Sequence, residues 1–197
     1  MSSKLPASTE DWLFSNGYWS LDTDIYHSAP SSLRSDSGNV LRVLCNVLTA
    51  RNMPNGRIES WFYKEGNSYT RRYGFCCRNQ YPTWSGGYEI VQEVYDGIGS
   101  LGYYIFRDEV QVQTGSIPQP PFGEWFKRRL TFWESAGWFI MRFEKWDGSQ
   151  WVKLINDYLD ANPLYGSAAQ NRCGIHLVSH PSVDRIRADD TVIYKPS

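Results

Sequence analysis

Turn residues break this chain about every eight to twelve residues, and that spacing constrains its fold more than any other feature. Ser15-Asn16-Gly17, Pro54-Asn55-Gly56, Glu65-Gly66-Asn67, Gly86-Gly87, Asp96-Gly97, Ser135-Ala136-Gly137 and Asp147-Gly148 are all turn signals. Between them lie short runs that alternate in polarity with a period of two, the mark of a half-buried strand. No helix of three turns has an apolar stripe. The reading is an all-β fold of about a dozen short strands in a two-sheet antiparallel β-sandwich.

A chain of 197 residues suits one domain with a substantial core. Residues 1–11 read as a polar, flexible lead and 12–197 as the domain. Only 156–170 reads as helical or irregular. The strands expected next to the functional arguments below are 57–64, 69–79, 88–95, 103–108, 124–134 and 138–146. Short strands are also expected at 110–114 and 192–194, with 185–188 a separate piece before the last.

Charge and hydropathy exclude several partners. The net charge of −1 argues against nucleic acid, which calls for a basic face. The cluster Lys127-Arg128-Arg129 lies on a strand, so its charges divide between two faces. No apolar run approaches the length of about 18 residues that membrane insertion needs. The start, Met1 to Asp11, lacks an apolar h-region and does not read as a signal peptide. Action at a virion or extracellular surface is the expectation, with the cytoplasm as the alternative. The four cysteines, Cys45, Cys76, Cys77 and Cys173, form no C-x-x-C, and adjacent Cys76 and Cys77 point to opposite faces. Buried thiols are the expectation.

The unusual quantity is aromatic content: 16% of residues, with 9 Trp and 13 Tyr. Alternation distributes these rings unevenly. On 57–64 one face carries Arg57, Glu59, Trp61 and Tyr63, and the other Ile58, Ser60, Phe62 and Lys64. On 124–134 Trp125, Lys127, Arg129, Thr131 and Trp133 oppose Phe126, Arg128, Leu130 and Phe132. On 138–146 Trp138, Ile140, Arg142, Glu144 and Trp146 oppose Phe139, Met141 and Phe143. One face is core. The other interleaves Trp and Tyr with Arg and Glu, which suits a sugar: a pyranose stacks on a ring while its hydroxyls bond to the charged groups. The expected ligand-binding set is Arg57, Glu59, Trp61, Tyr63, Tyr73, Trp84, Glu89, Glu93, Tyr95, Arg129, Trp133, Trp138, Arg142 and Glu144. A contact between subunits is the other use of such a face, and a homo-oligomer follows from it.

Glu89 and Glu93 share one face of their strand. Their Cα atoms are about 13 Å apart at the usual strand rise, whereas two carboxyl groups in a retaining glycosidase stand about 5–5.5 Å apart. They are the only catalytic candidates. Asp22 and Asp24 offer a calcium position, against the simpler reading of a turn. No other cofactor is expected.

Three stretches carry a family resemblance. They are Gly17-Tyr18-Trp19 with Tyr26 to Arg34, then Glu124 to Thr131 with Arg142 to Gly148, then Gly174 to Leu177 with Arg187 to Tyr194. In this order they resemble the concanavalin A-like lectin/glucanase jelly roll, a superfamily that includes laminin G-like domains, legume lectins and family 16 glycoside hydrolases. The resemblance implies a jelly roll and a lectin-like, non-catalytic module for glycan recognition or attachment. The alternatives are a virion decoration or fibre component and a glucanase. Family 16 hydrolases carry Glu-x-Asp-x-Glu; here Val91 stands where that pattern has Asp, so the enzyme is not expected.

Overall fold

The computed structural model describes residues 4–5, 12–15, 17, 19–28, 31–36, 41–45, 53, 55–65, 71–80, 83, 86–94, 100–164, 171–179 and 185–194. Among them are sixteen strands: β1 (Lys4–Leu5), β2 (Trp12–Phe14), β3 (Trp19–Asp22), β4 (Ser32–Ser35), β5 (Leu41–Cys45), β6 (Gly56–Lys64), β7 (Arg71–Gln80), β8 (Tyr88–Val94), β9 (Ser100–Arg107), β10 (Val110–Pro118), β11 (Trp125–Ser135), β12 (Trp138–Trp146), β13 (Trp151–Lys153), β14 (Tyr158–Asp160), β15 (Asn171–Val178) and β16 (Ile186–Tyr194). They form two antiparallel sheets. The nine-stranded sheet runs β13-β12-β11-β6-β16-β4-β3, with β1 on β16 and β14 on β12; the seven-stranded sheet runs β10-β9-β8-β7-β15-β5-β2. The expected all-β sandwich is what forms.

Several boundaries differ from the sequence reading. The pieces expected at 185–188 and 192–194 are one strand, β16, whose register slips between Asp189 and Val192. Asp190 sits there at φ 49°, and such a bulge splits the alternation that a sequence shows. β10 runs on through Ile117 to Pro118, because an edge strand needs no partner for the proline nitrogen. The segment expected to be helical or irregular contributes β14, paired with β12. β2 and β3 flank one turn yet belong to different sheets.

The core lies where the two inner faces meet. Ile58, Phe62, Leu130, Phe132, Phe139, Met141 and Phe143 come from the nine-stranded sheet; Tyr73, Phe75, Cys77, Tyr88, Ile90 and Ile105 face them, all fully buried. Rings interlock across the gap: Phe62 meets Phe75 edge-on at 5.6 Å, and Tyr88 stacks on Phe139 at 4.3 Å. The β11–β12 hairpin closes through Ala136 (φ 50°) and Gly137 (φ 83°), a two-residue turn matched to the strand twist.

The seven-stranded sheet is the concave one. Arg42 on β5 lies four strands from the β9–β10 turn, on the order of 19 Å across a flat sheet. Yet its Nη2 stands 3.6 Å from Glu109 Oε1 in that turn, so the sheet bends around its outer face. Gly74 and Gly174 lie on its inner strands, where an added Cβ would stand 2.0 Å from Ile90 O and 1.8 Å from Val43 O.

Candidate functional site

The expected ligand-binding residues divide between two opposite surfaces of the sandwich. Register places Arg57, Glu59, Trp61 and Tyr63 beside Thr131, Arg129, Lys127 and Trp125, and Arg129, Thr131 and Trp133 beside Glu144, Arg142 and Ile140. These residues share the outer face of the nine-stranded sheet. Glu89 and Glu93 lie on the concave face of the other sheet, with the core between. Tyr73 must be withdrawn from the set: it is fully buried in that core, where its phenol donates to Gln92 Oε1. Alternation groups Tyr73 with Arg71 and Phe75, and the whole group points inward. Trp84 and Tyr95 lie outside the described residues.

The centre of the nine-stranded face is occupied by its own side chains. Lys127 Nζ is 3.0 Å from Glu59 Oε2, Arg57 Nε 3.3 Å from Glu59 Oε1, and Arg129 Nε donates to Glu144 Oε2 at 2.7 Å. Arg129 also covers the Trp151 ring at 4.2 Å, and Arg142, bonded to Asp157, covers Trp133 at 5.2 Å. Glu59 and Glu144 are thereby buried. Glu59, Arg129 and Glu144 thus knit the sheet and are not open to a ligand.

The two ends of the face are open. At one, a cleft of about 490 Å³ is bounded by Asn55, Arg57, Thr131, Trp133 and Tyr194. Here the Arg57 guanidinium stacks on Tyr194 at 4.1 Å. Trp138, which sits at the mouth of the β11–β12 turn, is 43% exposed. At the other end, a cleft of about 450 Å³ lies between the segment 118–121 and the last residues of β12. Three indoles line it, those of Trp61, Trp125 and Trp146, together with Glu124, Lys127, Arg128, Lys145 and Asp147. Asp147 closes the β12–β13 turn by accepting from Gln150 N and Ser149 N, which holds its carboxyl at about 2.

Two of these indoles, Trp125 and Trp146, were absent from the expected set although they share its parity. Their alternation was legible; their place at the cleft comes from the Pro-rich crossing between the sheets. His27 was also missed. It stacks on Trp61 with centroids 4.0 Å apart and meets Trp125 edge-on at 5.8 Å. Its Nδ1 donates to Asp190 Oδ2 at 2.9 Å, and its backbone N–H donates to Asp189 Oδ2. Burial pushes the Asp189 carboxyl above the usual range, against these backbone N–H groups. No local signal could have joined His27 to a strand at the far end of the chain.

On the concave face Glu89 is buried and fully engaged. Its Oε1 accepts from Arg42 Nε and, at 3.3 Å, from Asn79 Nδ2; its Oε2 accepts from His176 Nδ1 at 2.9 Å. Burial alone would raise its pKa, but His176 and Arg42 outweigh that and hold it at about 2. Glu93 instead accepts from Arg72 at 3.0 Å. The two glutamates therefore serve separate ion pairs. Burial pushes the thiols of Cys76, beside Glu89, and Cys77 well above their usual range, which disfavours the thiolate form.

The Asp22-Thr23-Asp24 segment is a turn. Asp22 accepts from Asp24 N, Ile25 N and Arg187 Nε, and Arg34 adds a fourth bond. Burial opposes its ionisation, yet these donors hold it at about 2. Asp24 is exposed. Among the described residues no group of three carboxylate, His or Cys side chains converges to hold a metal ion.

No family model matches the chain, and no curated protein matches it in sequence. Solved structures match its fold. A functionally unknown protein from Saccharomyces cerevisiae gives a TM-score of 0.64 at 12% identity, over 97% of this chain and 100% of that one. The exoplasmic/lumenal domain of VIP36, bound to Ca2+ and Man3GlcNAc, gives 0.63 at 9% identity over 100% and 89%. Peanut lectin gives 0.58 at 12% identity over 98% and 96%. The chain has the concanavalin A-like lectin fold, and at such identities the likeness is one of fold.

Proposed function

We propose that this protein is a non-catalytic carbohydrate-binding module and that its glycan seats in the cleft of Trp61, Trp125 and Trp146. The observation that carries the reading is three indoles converging on a cleft of about 450 Å³ with charged hydrogen-bonding groups between them. An indole offers a flat apolar surface to one side of a pyranose, and the rim charges answer its hydroxyls. The lectin fold supports the reading. Work at a glycan-bearing surface, extracellular or virion, goes with it. The glucanase alternative needs Glu89 free, and both its oxygens are engaged by Arg42, Asn79 and His176.

A broad glycan array identifies the ligand, and titration calorimetry then compares wild type with Trp125→Ala and Trp61→Ala. Loss of a central aromatic contact of at least about 1.4 kcal/mol weakens binding tenfold or more. Circular dichroism confirms that the variants stay folded. A wild type silent across the array, or a folded Trp125→Ala that binds unchanged, overturns the assignment. The contrasting reading is a subunit contact across the same face, favoured by exposed Trp138 and by Leu159, 54% exposed beside Ile140. Light scattering that finds an oligomer dispersed by Leu159→Asp would support it.

A further inference from the structure

The indole cleft contains a buried cation that no acid among the described residues answers. Arg128 lies on the inward side of β11, 3% exposed, and forms part of the cleft wall. Its Nη1 donates to Lys127 O at 3.2 Å, and its Nη2 to Tyr73 Oη and Gln92 Oε1, both at 3.4 Å. Its Nε, also buried, makes no hydrogen bond. The guanidinium is 4.7 Å from the Phe126 ring centroid. Every one of these partners is neutral, since burial pushes the Tyr73 phenol up to about 12.

Arg78 and Arg187 are as deeply buried, and each faces a carboxylate, Glu134 and Asp22 respectively. Arg128 is different in kind. A charge withdrawn from water without a counter-charge costs several kcal/mol. A fold tolerates that where a bound group supplies the missing charge. The rim of the cleft is balanced, Lys127 and Lys145 against Glu124 and Asp147, so the excess charge there is that of Arg128. Asp147 already spends Oδ1 on backbone N–H groups.

We propose that the cleft takes an acidic saccharide, whose carboxylate or sulfate group becomes the counter-ion of Arg128 while a sugar ring stacks on the indoles. This inference rests on the glycan-binding reading and narrows it to one chemical class. A bidentate guanidinium bond to a carboxylate or sulfate would use the donors that now reach only distant neutral acceptors.

The test is calorimetry of the full chain with three ligand sets of matched length: oligosaccharides containing uronic acid, sulfated galactan oligosaccharides, and neutral gluco- and manno-oligosaccharides. An acidic set bound at least tenfold more tightly than the neutral set supports the proposal, and the better of the two acidic sets names the group. Equal binding of acidic and neutral sets overturns it while leaving the glycan-binding reading intact. Binding of none removes both. Arg128→Met supplies a second readout: it erases the acidic preference and leaves the melting temperature unchanged or higher, because an unanswered charge has gone. A folded Arg128→Met that retains the acidic preference also overturns the proposal. Should Arg128→Met fail to fold, the three-way comparison on the wild type decides alone.

Discussion

Replacing Glu89 by glutamine removes the anion that joins three strands of the concave sheet. Glu89 on β8 is held by Arg42 from β5 and His176 from β15. In the native protein its pKa falls from the ordinary 4.5 to about 2, despite the burial that opposes ionisation. At about 1.4 kcal/mol for each tenfold change, that difference stabilises the folded state by about 3 kcal/mol at neutral pH. The folded-state value lies below the unfolded one. The contribution is therefore complete above pH 4.5 and is lost as pH falls from there through the folded pKa of about 2. About 2 kcal/mol of it is gone by pH 3. Glu89→Gln also leaves Arg42 and His176 buried against a neutral amide, and breaking such a pair costs about 3–5 kcal/mol. Urea unfolding at pH 7 and pH 3 tests both points. The variant should be less stable by about 3–5 kcal/mol at pH 7, and its loss between the two pH values should be about 2 kcal/mol smaller than that of the wild type. Asp22, also held at about 2, is present in both proteins and cancels from the difference. Equal losses on acidification would refute the linkage reasoning.

Gly174→Ala places a Cβ 1.8 Å from Val43 O, a clash with backbone that no rotamer relieves; urea unfolding should show a loss of about 3 kcal/mol, and a loss under about 1 kcal/mol would mean that the concave sheet yields. Ala136→Asn should raise stability by about 0.5 kcal/mol, because asparagine accepts the φ of 50° that alanine resists at the first position of this turn. A melting temperature that falls would show that the hairpin turn is not under that strain.

Much of the fold was legible because strand alternation is a local property. The parity of 124–134 and 138–146 separated Phe126, Leu130, Phe132, Phe139, Met141 and Phe143 from the charged and indole-bearing positions, and all six are buried. It also divided Lys127 and Arg129 from Arg128. Parity says which residues travel together and leaves open which side goes inward. On 69–79 the side that bears Tyr73 also carries Arg71, so Tyr73 was assigned to a surface when it belongs to the core. The two-glutamate strand was grouped with Trp61 and its neighbours because both looked like binding surfaces; each is the outer face of a different sheet.

The sequence alone determined an all-β sandwich, a face of rings and charges, and glutamates on one side of their strand, because turn residues and period-two alternation need only near neighbours. Tertiary structure decided what those groups meet. It carried His27 to Asp190 and Trp61, closed Arg42 and His176 on Glu89, and spent Glu59, Arg129 and Glu144 on one another. Each contact joins residues far apart in the chain, through a strand order and a sheet curvature that no local pattern records. The same packing left Arg128 in the cleft wall with neutral partners among the described residues, a set that no local pattern records.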